Sequence, residues 1–236
     1  MEFHLHGLSF EEISYQLLID GYSVIKPDFS RNLLNFLPDL KSNTEEFISS
    51  STKYNDDEYE GGLYKIITKK NLTNPNYKVF RIYNEFCLSF MKALNINNHE
   101  FNSMYQTIDT KKTKHIAQKP HFDRLPALKF MLYLNNLNSD NGAFKLSKGS
   151  HHWVKKKLPN NRPKFESKEY LEYSRNLPKY ILNGLNPIEG DAGTIIIFYT
   201  DCVHHQGLVN KGNCQILRSH YWKKTTFYDK LKRKII

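Results

Sequence analysis

Residues 121–134 read "HFDRLPALKFMLYL". From Ala127 onward the stretch is apolar except for Lys129 and reads as a buried strand. It nevertheless opens on His121 and Asp123, two side chains that are costly to bury without a partner. Two positions apart on extended backbone, they project from the same face. An imidazole and a carboxylate side by side at a strand mouth call for a third group from elsewhere in the chain.

That group can come from residues 190–207, "GDAGTIIIFYTDCVHHQG". A turn at Gly190 and Asp191 leads into a short apolar strand that ends on His204 and His205. One of these histidines, closing on the first pair, gives two nitrogens and one carboxylate on a single side of a metal. Such a facial set suits non-heme Fe(II) and leaves positions open for a co-substrate and dioxygen. A lone His-x-Asp is a weak signal. Spacing by itself equally allows a surface His–Asp pair and an ordinary loop histidine.

The surrounding punctuation describes the scaffold. After residue 100, short runs such as "FNSMYQTI", "GAFKLS", "AGTIIIFY" and "CQILRSHYW" alternate with Asn, Gly, Pro and Asp, as in a barrel or two-sheet sandwich. Before residue 100 the chain is mixed. A helix in "SFEEISYQLLIDG" is capped by Ser9 and stopped at Gly21, "YSVI" forms a strand, and a second helix spans about 77–94. Its apolar stripe is read as Val79, Ile82, Phe86, Phe90 and Ala93. The expectation is one domain over 1–236, mainly β with flanking helices, with a helical N-terminal part at 1–100 and an insertion at about 153–186. A helix is expected within that insertion, in "SKEYLEYSRNL".

Composition bounds the rest. The 236 residues carry 15 Tyr and 15 Phe, which favours a folded, sheet-rich protein over a disordered one. Lys plus Arg exceed Asp plus Glu by 34 to 24, for a formal charge of +10, but the basic residues are scattered and no aromatic-interleaved motif makes nucleic acid the expected partner. Cys87, Cys202 and Cys214 form no CxxC pair; free thiols in a reducing, cytoplasmic setting are expected. The start "MEFHLHGLSFEE" does not read as a signal peptide, and "IIIFY" is far too short to span a membrane.

The run "HFDRLPALKFMLYLNNLNSDNGAFKLSKGSHHW" resembles the phytanoyl-CoA dioxygenase (PhyH) family of Fe(II)- and 2-oxoglutarate-dependent oxygenases. That family follows its His-x-Asp pair with a strand, an Asn/Asp-rich "NGA"-type turn and a Pro-Gly-Ser-His segment. "GDAGTIIIFYTDCVHHQG" is similar to its second motif, and "LLIDGYSVI" to its opening. The resemblance runs from about Gln118 to Trp222 apart from the insertion; Lys148 replaces the usual proline. It implies a double-stranded β-helix, the cupin-like jelly roll, with helices outside.

By the same resemblance, His121, Asp123 and a distal histidine hold Fe(II), and 2-oxoglutarate is the co-substrate. An arginine ten to thirteen residues past the distal histidine pairs with the far carboxylate of 2-oxoglutarate. Counting from His205 places Gln215 at the near end of that window and Arg218 at the far end, so His205 is favoured over His204 and Arg218 is the expected anchor. Lys129 is the substitute cation. Gln118 and Tyr105 are further candidates for contacts to the co-substrate or to a metal-bound carboxylate. The implied reaction is hydroxylation of a small-molecule substrate by dioxygen, because related halogenases carry a small residue where Asp123 stands. Lys114, Lys119 and Lys155 to Lys157 suggest an anionic substrate. The alternative is a jelly-roll module that binds a ligand without catalysis.

Overall fold

The structure is a computed structural model, and it describes residues 8–27, 35–42, 59–60, 62–123, 126–157 and 176–224. The expected insertion helix lies almost wholly outside the described residues.

The first helix, α1 (Phe10–Ile19), begins at a reciprocal cap: the Ser9 hydroxyl accepts the Glu12 N–H while the Glu12 carboxylate accepts the Ser9 N–H. Gly21, at φ +82°, then turns the chain out of the helix and into β1 (Tyr22–Ile25). A two-residue strand β2 (Tyr59–Glu60) and β3 (Leu63–Thr68) precede α2 (Lys78–Ala93). The buried stripe of α2 runs through Val79, Phe80, Tyr83, Phe86, Cys87, Phe90 and Met91. Ile82 is half-buried and Ala93 exposed, so the stripe expected from sequence is rotated slightly.

The remaining strands are β4 (His99–Thr110), β5 (Lys114–His115), β6 (Ala127–Tyr133), β7 (Lys145–Ser147), β8 (Leu185–Pro187), β9 (Ile195–Tyr199), β10 (His204–His205) and β11 (Asn213–Lys223). They form a six-stranded sheet in the order β1-β9-β6-β11-β4-β3, a three-stranded sheet β10-β7-β8 and the small pair β2-β5. All of the pairings are antiparallel. Two short helices, α3 (Ser150–Lys157) and α4 (Lys179–Asn183), flank the smaller sheet.

Each face of the large sheet buries a different set of residues. Leu128, Phe130, Leu132, Ile195, Ile197, Leu217 and Tyr221 pack with α1 and α2 around Phe80 and Phe90. The intervening residues Met131, Tyr133, Ile196, Phe198, Cys214 and Ile216 pack with Phe144 and Leu146 between the two sheets. This explains why β6 is buried at every position instead of alternating: it is a central strand covered on both faces. Each fully buried Phe or Leu contributes about 2 kcal/mol of transfer free energy. The result is a mainly β, two-sheet jelly roll with helices on one outer face. All three cysteines are buried and free.

Candidate metal centre

The segment ahead of β6 pairs with β10. The His121 N–H donates to the His204 carbonyl at 2.9 Å, and the His204 N–H donates back to the His121 carbonyl at 2.7 Å. Directly opposed residues of an antiparallel pair share a face, so the imidazoles meet, with ring centroids 4.4 Å apart. Asp123 is fixed by its N–H to the Thr200 carbonyl at 2.9 Å. Its Oδ1 then lies 3.5 Å from His204 Nε2 and 3.9 Å from His121 Nε2. One possible ligand atom from each of the three residues falls within 4.8 Å of the others.

His205 does not join them. Successive strand residues face opposite ways, and with His204 turned inward His205 turns out, its Nδ1–H donating to the Gln206 carbonyl at 2.9 Å. The residue that completes the cluster is His204, one residue further from Arg218 than His205 is.

Hydrogen bonds at the far side of each ring set the protonation of the cluster. His121 Nδ1–H donates to the Lys119 carbonyl at 2.7 Å and His204 Nδ1–H to the Cys202 carbonyl at 2.6 Å. Each turns its Nε2 toward Asp123. Burial, reinforced by His204, holds His121 neutral and pushes its pKa down to about 3. Burial alone would raise the Asp123 carboxyl, but Lys129, then His204 and His121, pull it well below the usual carboxylate range. Two imidazole nitrogens and an ionised oxygen therefore converge on one point, an arrangement that can hold a cation. Two imidazole nitrogens and one carboxylate oxygen are the donor set of a non-heme iron site, and the residues fit it. Phe198 and Phe144 pack on the His204 ring at 5.1 and 5.4 Å and keep it dry.

The other expected residues divide. Arg218, on the inner face of β11, donates through Nη2 to Thr107 Oγ1 at 3.2 Å and Gln206 Oε1 at 3.4 Å, with Asp109 Oδ2 at 3.9 Å. Its register partners are Tyr105 on β4 and Met131 on β6. Tyr105 therefore faces the same interior, and its ring packs on His220 at 4.8 Å. Lys129 is not a stand-in at the Arg218 level. It sits one layer nearer the histidines, with Nζ 2.6 Å from Asp123 Oδ2. Gln118 is used in a turn, donating to the Thr113 carbonyl and accepting from His115 N–H, and does not reach the centre. Gln215 lies on the opposite face of β11 from Arg218, bound to Asn213 and Asn135.

Sequence reasoning missed Thr107, Gln206 and His220. The signal was available as parity: His220 is two positions from Arg218, and Gln206 two from His204, so each shares its neighbour's face. His220 Nε2 is sealed from solvent with no hydrogen-bond partner among the described residues, and burial followed by the Lys129 charge keeps its pKa well below the usual imidazole value.

Comparisons with known proteins agree with this architecture. The non-heme alpha ketoglutarate dependent epimerase SnoN from nogalamycin biosynthesis superposes with a TM-score of 0.67 at 13% identity, covering 91% of this chain and 83% of its own. The carbocyclase SnoK from the same biosynthesis gives 0.64 at 14% identity, covering 96% and 91%. HygX from Streptomyces hygroscopicus, solved with nickel and 2-oxoglutarate bound, gives 0.57 at 14% identity, covering 94% and 88%. At such identities these likenesses establish the fold. No curated protein matches the sequence. The profile described as Phytanoyl-CoA dioxygenase (PhyH) matches residues 41–215, well over half of the 236 residues, and the chain belongs to that family.

Proposed function

We propose that the protein is an Fe(II)- and 2-oxoglutarate-dependent oxygenase that hydroxylates a small molecule, working as a single domain. The observation that carries this reading is the convergence of His121 Nε2 and His204 Nε2 on the ionised Asp123 carboxylate. When bound, the metal supplies dioxygen activation coupled to oxidative decarboxylation of 2-oxoglutarate.

The chain's own residues supply binding, orientation and exclusion of water. His121, Asp123 and His204 hold the ion. Arg218 receives the far carboxylate of 2-oxoglutarate: it pairs with Met131 while Lys129 pairs with His220, so its backbone lies one strand layer, or ~7 Å, along β6 from Lys129. Thr107 and Gln206 orient that guanidinium by accepting from it. The apolar residues between the sheets, with Phe144 and Phe198 against His204, keep bulk water from the metal. The carboxylate at Asp123 supports hydroxylation over halogenation.

An anionic substrate fits the surroundings. Lys155 and Lys223 line, with Asp201, Tyr199 and Pro126, a cavity of about 640 Å³ that comes within three residues of Asp123 in the chain and includes none of the three cluster residues. If a charged substrate is drawn there, its KM rises with salt while that of a neutral analogue stays flat.

The deciding experiment for the reaction class is anaerobic titration with Fe(II) and 2-oxoglutarate, following the visible charge-transfer band of the chelate. The parent protein develops the band and Asp123→Ala does not. Absence of the band and of succinate formation in the parent would leave the protein a ligand-binding jelly roll.

A further inference from the structure

Lys129 stands in the middle of "ALKFMLY", a strand buried along its whole length, and only 9% of its surface is exposed. A lysine is rarely placed in such surroundings without a counter-charge. Asp123 provides it through Oδ2, 2.6 Å from Nζ, and the Phe198 ring lies 5.9 Å from the ammonium on another side. The second oxygen of the same carboxylate, Oδ1, faces Nε2 of His204 and of His121. One carboxylate therefore serves two cation positions, one per oxygen.

The charges then count as follows. Asp123 is already neutralised by Lys129, and both imidazoles enter the coordination of a metal as neutral donors. Arg218 and Asp109, 3.9 Å apart, cancel one another. A divalent ion on Oδ1 adds two positive charges that nothing in the described barrel interior offsets, close to an ammonium of the same sign. A dianion bound beside it restores neutrality.

We propose, building on the oxygenase reading, that Lys129 is a positioning residue that makes metal loading depend on co-substrate loading. By occupying Oδ2 it leaves Oδ1 as the Asp123 oxygen open to a metal. By its charge it weakens metal binding alone and strengthens binding of the doubly charged co-substrate once metal is present. Because such coupling is reciprocal, 2-oxoglutarate tightens the metal by the same factor that the metal tightens 2-oxoglutarate.

The test uses Mn(II) as an air-stable probe, with dissociation constants measured calorimetrically in the presence and absence of saturating 2-oxoglutarate. In the parent, 2-oxoglutarate tightens Mn(II) by about tenfold or more, within the usual span of coupling between sites. Lys129→Met binds Mn(II) alone more tightly than the parent, and its gain from 2-oxoglutarate falls to about threefold or less. Lys129→Arg, which keeps the charge, retains the parent's coupling; Lys129→Gln, which keeps only a donor, behaves like Lys129→Met and replaces it should the latter not fold. Parent-like coupling in a folded Lys129→Met or Lys129→Gln overturns the proposal while leaving the oxygenase reading intact. A parent that binds neither Mn(II) nor 2-oxoglutarate overturns both.

Discussion

His204 and His205 are separated by one position and by the two faces of a strand, which gives their substitutions opposite outcomes. His204→Ala removes an inward lone pair and lowers metal affinity by about a hundredfold or more, by analogy with the tenfold to hundredfold cost of losing even a ligand's supporting group. His205→Ala removes an outward ring bonded to the Gln206 carbonyl and changes affinity by about twofold at most, the span of ordinary surface substitutions. Iron content after anaerobic reconstitution separates the two. Asp123 makes a different prediction in the metal-free protein: Asp123→Leu strands the Lys129 ammonium and costs about 3 kcal/mol or more, whereas Asp123→Leu with Lys129→Met recovers most of the loss. Urea denaturation of the single and double variants checks this. The His-x-Asp pair was legible because its chemistry is local, two polar residues at the head of an apolar run. The distal ligand was not, since it turns on a one-residue register that the His121–His204 backbone pairing fixes from across the barrel.

Elements hold these residues in register through close backbone approaches. After β10 the chain passes so near the segment before β7 that a Cβ on Gly207 would stand 2.3 Å from the Ala143 carbonyl oxygen and 2.8 Å from the Gly142 carbonyl carbon. Both obstacles are main chain and cannot rotate away. Gly207→Ala is therefore expected to cost about 2 kcal/mol or more by overpacking. It also disturbs Gln206, whose Nε2 donates to the Gly142 carbonyl at 2.8 Å and whose Oε1 accepts from Arg218, so 2-oxoglutarate binding weakens as well. Gly212→Ala is the control: its Cβ meets nothing within 4 Å, and only the positive φ costs, about 1 kcal/mol. Thermal unfolding and 2-oxoglutarate titration of both variants test the comparison. At this scale the strands themselves were legible, since apolar runs and turn residues are local signals. Their pairing was not: β9 lies between β1 and β6, and β11 between β6 and β4, because pairing depends on contacts far apart in sequence. The rotated stripe of α2 has the same origin, as the sheet above it and not its own period decides which side chains lie deepest.

Across the whole molecule, the charges taken out of water set how stability follows pH. His220 and His151 are held neutral, in both cases chiefly by burial, and His220 is further opposed by the Lys129 charge. The folded pKa of each lies below its unfolded value of about 6.5, so on acidification the unfolded chain takes up a proton that the folded protein refuses. Their contribution is thus constant above about pH 6.5 and is lost as pH falls below it, by up to about 1.4 kcal/mol per pH unit for each histidine. Asp123 behaves in the same way at lower pH. Its folded pKa is depressed, so the stability from its pairing is full above the ordinary carboxyl value of about 4 and is lost progressively as pH falls from there to the folded value, well below. Between pH 7.5 and 5.5 the histidines therefore dominate. Metal-free protein has a lower urea midpoint at pH 5.5 than at 7.5 with an unchanged slope, and His220→Gln flattens that dependence by removing a proton acceptor from the unfolded chain. Identical midpoints at the two pH values in the parent would contradict the burial of neutral imidazoles on which the inner face of β11 is built.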